Sequence, residues 1–290
     1  MARILVAGGR GLLGSTLVPM LEARGHEVRV LGRDAGNVVR ADLGDIAGTR
    51  LALQAAAPEI IVNLAAATNV DACERDPAAA FEANARTVQS LANWVREASG
   101  AAHLIQVSTD QVYDGAGPHD EQRPRPINYY AFSKLLGEQY AAQAGATILR
   151  TNLFGRSRCP GRSSLSDWLV DRMTRREKTQ VFSDVLFNPL SLETLSESIA
   201  DLAPRREAGT FNLGSHEGMS KADFAFRLAE TLGLPSEVLV RGVSTDLSLA
   251  ARRPLDMRMD CSLFERTFGR KLPTLDSEIK SMRTQYGIRS

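Results

Sequence analysis

The sequence predicts an α/β fold, a doubly wound parallel sheet followed by a smaller, mixed α/β C-terminal portion. Three observations carry that expectation. Short apolar runs alternate with stretches of helical spacing as far as Arg150, glycines crowd the first junction between the two, and beyond Arg150 the alternation gives way to looser, loop-rich sequence.

The first element is the apolar run Arg3 to Ala7. From Gly11 to Arg24 the residues Leu13, Leu17, Met20 and Leu21 recur at helical spacing, and Glu27 to Leu31 is again β-rich, which completes a β-α-β unit. The pattern repeats with a helix near Thr49 to Ala57, a strand at Ile60 to Leu64, a helix from Pro77 to Ser99 and a strand at His103 to Val107. A helix from Tyr130 to Ala144 and a strand at Thr147 to Arg150 close the series. Strands separated by helices imply parallel pairing, helices on both faces and right-handed crossovers. Residues 155–164, GRSRCPGRSS, read as a loop. Helices are then expected at Ser166 to Glu177, Leu192 to Leu202 and Lys221 to Leu232, with one more strand at Thr210 to Leu213.

Bulk composition narrows the partners. The 290 residues are 43% apolar, enough for a sizeable core, and 35 basic residues against 34 acidic ones leave a net charge of +1. Such a balance offers no field for nucleic acid or a membrane surface, so the expected partner is a small molecule. Cys73, Cys159 and Cys261 show no C-x-x-C spacing, which suggests neither a zinc site nor a disulfide framework and points to a reducing compartment. His26, His103, His119 and His216 are isolated, and no metal is expected. Met1 to Val6 runs straight into glycines and no apolar stretch reaches membrane-spanning length, so the expected location is cytoplasmic.

The stretch VAGGRGLLGSTL places Gly8, Gly11 and Gly14, with Leu12 and Leu13 between them, where the first strand hands over to the first helix. Glycine permits positive φ and close backbone approach, and a helix N-terminus offers free N–H groups to phosphates, so this is a Rossmann-type dinucleotide turn. The expected dinucleotide-binding domain covers residues 1–155, a segment near 180–214 returns to it, and 156–290 mainly faces substrate. The second strand ends VLGRD. Arg33 suits a 2′-phosphate and Asp34 a ribose diol; arginine coming first leans to NADPH, with NADH left open. Asp42 and Leu43 are placed to meet adenine. Ala65, Ala66 and Ala67 either let a dinucleotide lie against backbone or serve plain packing.

The chemistry is expected at the other end. Tyr130 and Lys134 lie four residues apart on one helix face, where a cation favours the phenolate and lowers the phenol pKa. Tyr129 is one residue out of register. In STDQVYDG, Ser108 and Thr109 follow a buried strand at its carboxyl end, where active sites of parallel sheets gather. Turn capping is the plainer reading of both hydroxyls.

At these residues the chain resembles the extended short-chain dehydrogenase/reductases, and within them the dTDP-4-dehydrorhamnose reductase group. The matching pieces are GGRGLLGSTL, PEIIVNLAAATNVDACERDP, VSTDQVYDG, YYAFSKLLGE, ILRTNLFG, RRPLDMRMD and FGRKLP. The resemblance implies that Tyr130 protonates the C4 oxygen of a nucleotide-linked keto sugar, that Lys134 lowers the phenol pKa and holds the nicotinamide ribose, and that Thr109 orients the carbonyl. It also implies that Asn84 supports the lysine through water, a capped or solvated mid-helix Asn being the equal alternative, and that Thr68, Val70, Asp110, Asn152 and Arg253 face substrate, with a homodimer plausible. Arg253 suits a diphosphate or a surface charge equally well. Where the group carries Asp-Gln-x-Gly-x-Pro-Thr, this chain has SDVLFNPLS, keeping Asp184 and Pro189 but losing the glycine and the threonine.

Three competing functions share the cofactor residues. A 4,6-dehydratase needs a carboxylate pair after the threonine, and Gln111 follows Asp110 here; an amide cannot exchange a proton. A 4-epimerase uses the same Tyr/Lys pair but retains NAD. A non-catalytic NADP-binding regulatory subunit, like the β subunit of methionine adenosyltransferase, would not need the Thr/Tyr/Lys set.

Overall fold

The computed structural model describes residues 1–32, 39–246 and 248–287. Among them, seven strands form one parallel sheet. In chain order they are β1 Arg3–Ala7, β2 Glu27–Gly32, β3 Val39–Arg40, β4 Ile60–Asn63, β5 His103–Val107, β6 Thr147–Thr151 and β7 Gly209–Leu213. Their spatial order is β7-β6-β5-β4-β1-β2-β3, with every neighbouring pair parallel. The order reverses between β1 and β4, and a crevice opens beyond their carboxyl ends.

Both faces of the sheet are covered, which is why its strands read as continuous apolar runs. Ile4, Val6, Val62 and Ile105 point into one core with Leu17 and Leu21 of the helix Gly14–Ala23 and Leu195 and Ile199 of the helix Leu192–Leu202. Phe264 and Phe268, from the helix Ser262–Phe268, enter the same core. Alternate residues Leu5, Ala7, Ile61 and Leu104 point the other way, against Leu53, Val88, Leu91 and Ala141. A third core gathers Phe154, Leu169, Phe187, Phe224, Leu228, Ile279 and Met282. Beside it, Thr179–Phe182 pairs with Leu239–Gly242, outside the main sheet.

The single helix expected from Pro77 to Ser99 is divided. Pro77–Phe81 and Thr87–Glu97 are α-helical, and Glu82–Arg86 between them is a π-helical turn. Asn84 accepts from the Ala67 N–H at 2.8 Å and donates to the Ala67 carbonyl at 3.0 Å and to Ser133 Oγ at 2.9 Å. Gly137 crosses here, and a Cβ on it would lie 2.4 Å from the Asn84 carbonyl oxygen. The helix carrying Tyr130 spans Tyr129–Ala142, started by Asn128, whose side chain accepts from the Ala131 N–H. Among the described residues no helix is long and apolar enough to cross a membrane.

Candidate active site

The glycine turn is held in a shape that side chains forbid. Gly8 has φ +76°, and a Cβ there would lie 2.9 Å from the Ala65 nitrogen; one on Gly14 would lie 2.5 Å from the Gly9 backbone. The turn therefore packs directly on the strand end that carries Ala65, Ala66 and Ala67. Together with Gly11, Asp42 and Leu43 these residues line a groove of about 920 Å³ at the β1/β4 reversal. Leu13 turns into the core beneath the groove and Leu12 packs against it, so only their backbone faces the turn. Bare backbone at positive φ, small side chains and a helix N-terminus fit a dinucleotide. Arg33, the residue expected to read a 2′-phosphate, lies outside the described residues.

The expected catalytic groups sit on the helix Tyr129–Ala142 and just past β5, outside the lining of that groove. Tyr130 is 7% exposed, walled by Val70, Cys73, Ala80 and Ala251. Burial pushes its phenol up to about 12; a hydrogen bond shared with Thr109 opposes the rise and the charge of Asp110 adds to it. Thr109 also caps the turn that follows it, accepting from the Gln111 N–H at 3.2 Å, as the plainer reading of this hydroxyl expects. Lys134 departs from the expectation that it lowers the phenol pKa. Its ammonium donates to the Val107 carbonyl at 2.8 Å, at the tip of β5, and what draws the phenol down is Thr109. Burial lowers Lys134 to about 8, with Glu138 opposing.

Asp110 is buried, and desolvation raises its carboxyl to about 6 against hydrogen bonds and the nearby charge of Lys221. Asn152 donates to it at 2.6 Å, which joins two of the residues expected to face substrate. Thr68 is exposed, and Val70 packs beside Tyr130. Arg253 donates to Asp71 at 2.9 Å and to the Ala251 carbonyl at 3.0 Å, pinning the C-terminal segment to the helix Val70–Arg75. Asn84, expected to support Lys134 through water, bonds Ala67 and Ser133 directly.

The sequence profile of the RmlD substrate binding domain matches residues 2–288. The chain belongs to the RmlD substrate-binding domain family. Its relatives include a dTDP-4-dehydrorhamnose reductase of Sinorhizobium fredii, 32% identical over 303 residues that cover 97% of this chain and 96% of that one. Methionine adenosyltransferase 2 subunit beta of Bos taurus is 28% identical over 289 residues, covering 91% of this chain and 81% of that one. The fold is shared with the crystal structure of dTDP-4-dehydrorhamnose reductase from Bacillus anthracis in complex with NADP, at a TM-score of 0.88 and 24% identity, covering 98% and 99% of the two chains.

In this RmlD-family chain the residues that sequence reasoning missed are supporting ones. Arg150 and Glu138 form a buried ion pair under the Tyr130 helix, and Lys221 stands close to both Asp110 and Arg253. A charged side chain closing a strand of a sheet read as covered on both faces was the available signal for Arg150, because a buried charge needs a partner. Lys221 carried no comparable signal.

Proposed function

We propose that this protein reduces the C4 keto group of a nucleotide-activated 4-keto-6-deoxysugar with NADPH, NADH being the secondary donor, as a dTDP-4-dehydrorhamnose reductase-like enzyme of deoxysugar and polysaccharide biosynthesis. The observation that carries this reading is the buried Tyr130 phenol joined to Thr109 at the tip of β5, beside a groove floored by bare glycine backbone. The RmlD-family relative at 32% identity supports it.

NADPH, when bound, supplies the hydride that reaches the carbonyl carbon. The chain supplies the proton and the geometry. A phenol near 12 keeps its proton at neutral pH, so Tyr130 stands ready as an acid to the developing alkoxide rather than as a base. Thr109 holds the carbonyl oxygen within reach of that proton. Lys134, still charged below about pH 8, holds the ribose hydroxyls of the dinucleotide. Val70, Cys73 and Ala251 exclude water around the phenol. Gly8, Gly11, Gly14 and the Ala65 to Ala67 run would hold the dinucleotide, while Asp110 and Asn152 would face the sugar.

The test is a panel of 4-keto nucleotide sugars with NADPH and NADH, followed by nicotinamide absorbance. Steady oxidation with release of the oxidised cofactor supports a reductase; a cofactor retained through turnover indicates the 4-epimerase. The similarity to methionine adenosyltransferase 2 subunit beta favours a second reading, a regulatory protein that holds NADP without turnover, and dinucleotide binding with no oxidation across the panel would favour it.

A further inference from the structure

The glycine turn offers a dinucleotide backbone N–H groups and the end of a helix dipole, but its own glycines carry no charge for the two negative charges of a pyrophosphate. A segment from the far half of the chain lies against it. The loop 155–164 returns over the groove, and the Cys159 thiol donates to the Arg10 carbonyl inside the glycine turn at 3.0 Å. The base of the loop is fixed independently. Ser157 donates its N–H to Asp167 at 3.1 Å, the Ser157 hydroxyl accepts from the Cys159 N–H at 3.0 Å, and Ser164 starts the next helix. The Arg162 N–H donates to the Cys159 carbonyl at 3.3 Å, closing a tight turn that puts Pro160 and Arg162 on the groove wall.

The cations around this wall differ in their partners. Arg158 pairs with Glu193 at 3.6 Å, and Arg86 pairs with Glu82, which lines the groove with Asp42. Arg162 is exposed and has no carboxylate partner among the described residues. A guanidinium on the wall of a groove that the glycine turn also lines, with no carboxylate partner, suits a bidentate contact to phosphate oxygens.

We propose that Arg162 is the cationic clamp for the pyrophosphate of the bound dinucleotide, carried over the glycine turn by the Cys159 anchor. The inference rests on the groove holding a nicotinamide dinucleotide, as proposed above, and is independent of the sugar and of turnover.

NADPH and NADH are each titrated into the substrate-free protein, followed by nicotinamide fluorescence, for the wild type, Arg162→Gln and Arg162→Lys. Since both dinucleotides carry the same pyrophosphate, Arg162→Gln should weaken both by about tenfold and to the same extent, and Arg162→Lys should recover part of the loss. Loss for NADPH alone would assign the cation to the 2′-phosphate and overturn the proposal, as would unchanged affinity for both. A wild type that binds neither dinucleotide would overturn this proposal together with the reading it rests on.

Discussion

Arg150 and Glu138 face one another as a bidentate ion pair, with Arg150 Nε donating at 3.1 Å to both carboxylate oxygens and Nη2 at 2.7 Å to Oε2. Their side chains are 4% and 2% exposed. The remaining valences are also met: Nη1 donates to the Tyr113 hydroxyl and the Glu121 carbonyl, each at 2.8 Å, and Ser108 donates to Glu138 at 2.5 Å. The pair thereby locks the helix that carries Tyr130 and Lys134 to β6 and to the residue preceding Thr109. Replacing Glu138 with alanine would leave the guanidinium buried without its counter-ion. The expected cost is about 3 to 5 kcal/mol, read as a lowered urea midpoint; a loss within experimental scatter would contradict the account.

Lys134 sets an alkaline limit. Its amine is charged below about pH 8 and neutral above, so a role that needs the charge is present at neutrality and fades as pH rises through that value. Initial-rate kcat/KM for keto-sugar reduction should fall above about pH 8. A profile that stays flat well beyond that point would show that the ammonium charge is not required.

Asp110 makes an opposite kind of pH statement. Burial raises its pKa from 3.8 to about 6, so the folded protein binds this proton more tightly than the unfolded chain does. Stability from this group is therefore greatest at low pH and declines as pH rises from about 4 to about 6. The advantage in stability of Asp110→Asn over the wild type should grow across that window, by up to about 3 kcal/mol, in denaturant titrations at several pH values. A difference independent of pH would remove the buried charge as its cause.

Gly14→Ala tests the turn. The added Cβ would meet the Gly9 backbone at 2.5 Å, where no flexible side-chain end can yield. Thermal unfolding should register a loss of about 1 to 3 kcal/mol, with a weakened grip on NADPH. Unaltered stability and binding would mean that the close contact is not needed.

Much of the sheet was legible because the central strands β1 and β4 are apolar on both faces while the helices between strands follow the longer period, so the two periods stand out in turn. The helices Leu192–Leu202 and Lys221–Leu232 begin and end where the spacing puts them. What escaped depends on contacts between distant residues. In the π-turn at Glu82–Arg86 the Asn84 amide meets Ala67, and nothing within the helix sequence announces that partner. Arg253 is bound by Asp71, 182 positions away, so local sequence left its role open. Residues 155–164 do form a loop, but its attachment to the glycine turn at Arg10 spans 149 positions. At the chemical centre the residue types and their helix register were readable, whereas the direction of the Lys134 ammonium was not, because it depends on which carbonyl the tip of β5 presents.

The most direct measurement is Tyr130→Phe, which removes one hydroxyl from a buried ring and leaves the apolar wall around it in place. NADPH oxidation with the keto-sugar nucleotide that the wild type turns over should fall by about a hundredfold or more, while the NADPH dissociation constant stays nearly unchanged. A variant that keeps most of the wild-type rate would contradict the assignment of Tyr130 as the proton donor.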